Sequence, residues 1–144
     1  MQQFRALQVR DCQGALWAFC RRYEGAARAS FEGDLTGLTL ETLPGSSTEE
    51  TSALKRQTLE PPLDFVVVPL TSENVAALKD RLSRPGILGK DGAVIHVQME
   101  VAREPVLIAC DNFHDACTVA AMTVPEEFLR ELSSNGVLRG YSEA

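Results

Sequence analysis

Residues 93–109 constrain this chain more than any other stretch. From Ala93 to Val101 apolar and polar residues alternate: Ile95, Val97, Met99 and Val101 fall on one side, and His96, Gln98 and Glu100 on the other. A period of two is the pleat of a β-strand with one covered face. Ala102-Arg103-Glu104-Pro105 then turns the chain, and the apolar run Val106-Leu107-Ile108-Ala109 returns as a core strand ending near Cys110. A hairpin signed this clearly commits the fold to antiparallel pairing, and such sheets can leave one face in water. A four-residue turn sets His96 opposite Asp111 and Val97 opposite Cys110. His96 and Asp111 then meet on a solvated polar face, while Cys110 points into the core.

The rest of the chain supplies partners for this hairpin. Phe4 to Arg10 is compatible with a strand, and Asp11-Cys12-Gln13-Gly14 reads as a turn. Ala15 to Tyr23 fits two periods. Leu16, Phe19, Cys20 and Tyr23 have helical spacing, whereas Trp17, Phe19 and Tyr23 share one face of a strand. The aromatic content and the Glu24-Gly25 turn favour the strand. Ala27, Ala29 and Phe31 alternate with Arg28, Ser30 and Glu32, which extends an N-terminal meander. Residues 31–43 resemble a pentapeptide-repeat coil for fewer than three repeats, too few to stack, so they read as a loop with core leucines.

Beyond the Pro44-Gly45 break, Ser47 and Glu50 have capping-box spacing and predict a weakly docked helix over 48–57, with only Ala53 and Leu54 to bury. Phe65-Val66-Val67-Val68 is apolar on both faces, as in a central strand covered on both sides, and Pro69 ends it or places it near an edge. Thr71 or Ser72 caps a helix over 72–82 that buries Val75, Leu78 and Leu82. Thr123 and Glu126 predict a second capping box and a helix over 124–134, closed by Asn135-Gly136. The expected fold class is therefore α+β. One domain carries a mostly antiparallel twisted sheet of five or six strands, with two or three helices packed on it.

At 144 residues the chain is the size of one domain and can hold a core without staples. Fourteen Lys+Arg against twenty Asp+Glu give a net charge of −6, which disfavours nucleic acid or an anionic membrane as the main partner. No stretch approaches the ~18 apolar residues of a membrane span. Met1 to Cys12 lacks the apolar core of a signal peptide. These features predict a cytoplasmic protein whose four cysteines are thiols, ligands or core fillers.

The densest chemistry is Cys110-Asp111-Asn112-Phe113-His114-Asp115-Ala116-Cys117. Three arrangements follow from it. His96 with Asp111 would give an oriented imidazole base, although such cross-strand pairs more often just face solvent. Cys110, His114 and Cys117 are candidate zinc ligands, with Asp111 or Cys12 as a fourth, but their spacing is not that of a zinc knuckle. Cys117 with His114 or His96, oriented by Asp111 or Asp115, would be a nucleophile set; the acidic surroundings oppose a thiolate. The commoner roles are packing for the cysteines and turn chemistry for Asn112 and Asp115.

Residues 87–95, Ile-Leu-Gly-Lys-Asp-Gly-Ala-Val-Ile, resemble the Gly-x-x-Gly loop of KH nucleic-acid domains. That resemblance implies a loop between two helices, whereas the order here is helix, loop, strand, so Asp91-Gly92 reads as a tight turn. No catalytic signature is complete, and no cofactor is called for. The leading expectation is a non-catalytic domain that binds itself, a protein partner or a small ligand through His96, Gln98, Glu100, Asp111 and Asn112. A thiol- or metal-assisted hydrolase using residues 110–117 with His96 is the alternative.

Overall fold

The computed structural model describes residues 3–143. Seven antiparallel strands form one sheet: β1 (Phe4–Val9), β2 (Ala27–Gly33), β3 (Asp64–Pro69), β4 (Val94–Val101), β5 (Glu104–Ala109), β6 (Thr118–Ala121) and β7 (Leu138–Glu143). Their order is β3-β2-β4-β5-β6-β1-β7. Three helices accompany them: α1 (Cys12–Tyr23), α2 (Ser72–Leu82) and α3 (Glu126–Ser134). The α+β class is as expected, with seven strands rather than five or six. Among the described residues, no helix is long and apolar enough to cross a membrane.

One face of the sheet carries the main core. Ala29 and Phe31 of β2, Val66 and Val68 of β3, Val97 and Met99 of β4, and Leu107 and Ala109 of β5 pack there against the apolar stripes of all three helices. The loop between β2 and β3 adds Leu35, Leu38, Leu40 and Leu43, the core leucines expected of it.

Residues 15–23 are helical, not a strand. Asp11 is the N-cap, not part of a free turn, and its carboxylate accepts from Gly14 N at 2.9 Å. Gly14 suits the cap because a Cβ there would lie 2.4 Å from Asp11 Oδ2. Ala15, Leu16, Phe19 and Cys20 are buried, so the helical period won. Of the aromatics that favoured a strand, Phe19 lies on the stripe and meets Phe128 edge to face at 5.2 Å, while Trp17 and Tyr23 flank it, half-buried.

Helix α2 forms as expected, capped by Thr71. Helix α3 starts at Glu126 without the Thr123 capping box, since Pro125 occupies the N-cap with no side-chain bond. Its end is a Schellman motif: Gly136, at φ 78°, donates to Ser133 O, and Val137 N donates to Leu132 O.

The helix expected over 48–57 does not form. Residues 47–63 run as an irregular strap across the second face of the sheet. Ser47 pairs with Val67. Thr51 Oγ1 takes the amide of Leu54 at 2.9 Å, and the Glu50 carboxylate takes the amide of Arg56 at 2.7 Å. Those side chains satisfy local amides that a helix would have used, the competition Ser, Thr and acidic residues set up. Leu54 packs with Phe65 and Val67 in a small second core.

The β4–β5 register also differs. Val97 pairs with Ala109 and Met99 with Leu107, then Glu100 with Pro105 and Val101 with Glu104. Two residues, Ala102 and Arg103, make the turn, both at positive φ, and Val106 is bulged out of the ladder. The tighter turn and the bulge shift the pairing by one residue beyond Val106. A one-residue slip exchanges faces, so Cys110 lies on the strap face rather than in the helix-side core.

Candidate functional site

The strap face explains the polar side of the alternation. Glu32, Gln98 and Glu100 are 1 to 2% exposed and His96 is 9% exposed, so the face expected in water is buried. Opposing strands match their polar residues: Glu32 lies across from His96, Ser30 from Gln98, and Arg28 from Glu100. The strap then satisfies them. The Glu32 carboxylate accepts from Gln57 N at 2.8 Å and Thr58 N at 3.1 Å. Gln98 Nε2 donates to Lys55 O at 2.6 Å. Glu100 takes Arg28 on one oxygen, at 2.6 and 2.9 Å, and the Thr51 hydroxyl on the other. Burial without these bonds would cost several kcal/mol per group.

His96 does not meet the Asp111 carboxylate. Its Nδ1 accepts from the Asp111 backbone N–H at 3.1 Å, and its Nε2 lies 2.9 Å from Thr58 Oγ1. A ring nitrogen that accepts an amide proton carries none itself, so the hydrogen sits on Nε2 and is donated to Thr58. Both nitrogens are committed to holding backbone and strap.

The segment 110–118 is a tightly bonded loop. Asp111, Asn112 and Phe113 are all left-handed, at φ 52°, 58° and 62°, a conformation that costs a non-glycine residue of order 1 kcal/mol each. Surrounding bonds hold them there. Asn112 N donates to Ile95 O at 2.7 Å, and its Nδ2 donates to Gly92 O and Val94 O, both at 3.1 Å. Phe113 is buried in the main core. Thr118 Oγ1 donates to His114 O at 2.8 Å.

His114 is exposed and its Nδ1 caps the amide of Ala116 at 3.0 Å. Asp115 pairs with Arg139. Cys117 Sγ donates to Cys110 O at 3.1 Å. Burial pushes the Cys110 thiol up to about 11, helped by Cys117 and Glu32, and burial followed by Asp111 raises Cys117. Among the described residues, no hydrogen bond joins a thiol to an imidazole, and no group of three His, Cys, Asp or Glu residues is placed to hold a metal.

The loop at Gly86–Gly92 joins α2 to β4 and is closed by Ala93 N to Gly86 O and Val94 N to Ile87 O, at 2.9 and 3.0 Å. The strand that follows removes the likeness to a KH loop.

Two surface concavities stand out among the described residues. One, of about 450 Å³, lies between the strap and β3; of its three charged groups, Glu41, Arg56 and Asp64, Asp64 accepts from Leu35 N, and Arg56 donates to Leu63 O while covering the Phe65 ring. The other, of about 490 Å³, runs between the three helices. Trp17, Ala18, Phe128, Leu132 and Val137 give it apolar walls. Arg21, Arg22 and Lys79 border it against a single acid, Glu131. Arg22 lies over the Phe128 ring, 5.7 Å from its centroid. Arg21 and Lys79 are exposed and, among the described residues, form no ion pair. Trp17 and Arg21 lie four residues apart, so a helix brings them within one turn, about 6 Å, whereas a strand would hold them about 13 Å apart; the groove exists only because residues 15–23 are helical.

No protein-family model, curated protein or solved structure matches the chain.

Proposed function

We propose that this chain is a non-catalytic cytoplasmic binding domain whose partner surface is the groove between α1, α2 and α3. Its ligand is an acidic segment of a partner protein that also carries apolar side chains. The observation that carries this reading is the local reversal of charge: three cations and one acid around an apolar, partly buried Trp17 and Phe128, on a chain of net charge −6. The groove volume is within the range of about 300–1,000 Å³ that ligands occupy. Apolar walls with a charged rim suit a short amphipathic segment laid between helices. Electrostatic complementarity would set its orientation and speed its arrival. A second copy of this chain fits the groove poorly, because two such faces would set cation against cation. Nucleic acid is opposed by the net charge.

In this reading the polar sheet face expected to bind a partner serves the chain itself, since His96, Gln98 and Glu100 hold the strap. The hydrolase alternative has less support. A thiol nucleophile needs thiolate character and a nearby base, whereas Cys110 and Cys117 are pushed up and both imidazoles accept backbone amides.

Selection of random dodecapeptides displayed on phage against the immobilised full chain tests the proposal. The recovered peptides should be richer in Asp and Glu than the input library, interleaved with Leu, Phe or Met. They should lose about tenfold or more in affinity for an Arg21→Glu/Lys79→Glu double variant. Both positions are exposed, so the variant should melt like the parent. Peptides no more acidic than the library, or equal affinity for the variant, would contradict it.

A further inference from the structure

Cys110 and Cys117 stand directly across from one another at the end of the β5–β6 ladder. The pairing Ala109 with Thr118 continues to them, and Cys110 N donates to Cys117 O at 3.3 Å. Directly opposed antiparallel residues hold their Cα atoms about 4.5–5.5 Å apart, within the 4.4–6.8 Å a disulfide spans. Both side chains lie on the strap face, both residues are partly exposed, and the Cys117 thiol already bonds the Cys110 carbonyl at 3.1 Å. The two thiols are near enough that each perturbs the other.

We infer that Cys110 and Cys117 form a dithiol site for reversible two-electron oxidation by a low-molecular-weight disulfide, yielding an intramolecular bond that closes the left-handed loop 111–113. Two exchanges accomplish it. The Cys117 sulfur, having lost its proton, attacks one sulfur of the small disulfide. That S–S bond breaks, a mixed disulfide forms, and one small thiol leaves with the proton. The Cys110 sulfur then attacks Cys117 Sγ, forming the internal S–S bond and displacing the second small thiol with the second proton. The protein loses two hydrogens and two electrons, and the small disulfide gains them. Cys117 is the attacking group because its bonds to Cys110 offset part of its rise, whereas every influence on Cys110 raises it. The resting state is the dithiol, which suits a compartment where disulfides form transiently.

Cys12 and Cys20 supply an internal control. They lie eight residues apart on α1, about 12 Å along the axis, so no bond can join them in the folded chain.

The test treats the full chain with oxidised glutathione, blocks free thiols, and maps tryptic peptides without reduction. Residues 104–130 form one peptide holding Cys110 and Cys117, and residues 11–21 another holding Cys12 and Cys20. The expected result is a 104–130 peptide two hydrogens lighter and unblocked, beside a fully blocked 11–21 peptide. In Cys110→Ser, Cys117 should instead retain glutathione. A 104–130 peptide that stays blocked, or that carries glutathione in the parent chain, would overturn the inference. A second measurement needs no variant: the equilibrium constant for oxidation should be about tenfold or more higher in the native chain than in urea, because folding presets the pair. An equal or lower native value would also overturn it.

Discussion

Glu32 shows at the residue scale what the buried polar layer does. It is 1% exposed and spends its carboxylate on two strap amides, Gln57 and Thr58. Glu32→Gln keeps the shape but turns an NH2 group toward one of those donors. Chemical denaturation should show a loss of about 1–3 kcal/mol, and an unchanged midpoint would mean the two bonds carry no net stability. Residue identities in this layer were legible from the alternation of β2 and β4, but their environment was not. The same pattern describes a face in water or a face under a polar strap, and only the strap decides. The chemistry at Cys110–Cys117 was legible as a concentration of reactive side chains. Its geometry turned on a bulge at Val106 and a two-residue turn of Ala102 and Arg103 at positive φ, neither of which those side chains announce.

At the element scale the strap is the decisive piece. It holds one fully buried apolar side chain, Leu54, in a cluster with Phe65 and Val67. Leu54→Ala should cost about 2–3 kcal/mol, at the low end for such truncations because the strap can settle into the space. Its amides at Gln57 and Thr58 should also exchange with solvent faster than those of β2, marking local opening. If Leu54→Ala changes neither stability nor exchange, the strap is not held by this contact. Strands β2 to β5, helix α2 and most of α3 could be read from sequence because their periods and flanking signals agreed. Residues 15–23 could not, since their aromatics fit both periods and Asp11-Cys12-Gln13-Gly14 resembles a turn and a helix cap equally. Residues 48–57 misled because Ser47 and Glu50 have capping spacing while the sheet offers their neighbours better backbone partners.

At the scale of the whole molecule, pH separates the core from the surface. Burial lifts the Cys20 thiol to about 12 and the Cys110 thiol to about 11 from an ordinary 9.0. Unfolded thiols therefore ionise first, while folded ones keep their protons. Their contribution is fully present below pH 9 and is lost as pH rises through 11 to 12. Stability should fall over that window, and the fall should be shallower in Cys20→Ala; parallel slopes in the two proteins would remove Cys20 from the account. The groove is the corresponding surface feature. It gathers side chains from all three helices, so it exists only in the assembled fold.

Trp17 is the sole tryptophan and lines that groove. Titration of the full chain with a dodecapeptide that interleaves Asp and Glu with Leu and Phe, followed by Trp17 emission at low and high salt, is the most direct test. A saturable emission change is expected, one that weakens as salt screens the charges and is lost in the Arg21→Glu/Lys79→Glu variant. No saturable change, or one indifferent to salt and to charge reversal, would contradict it.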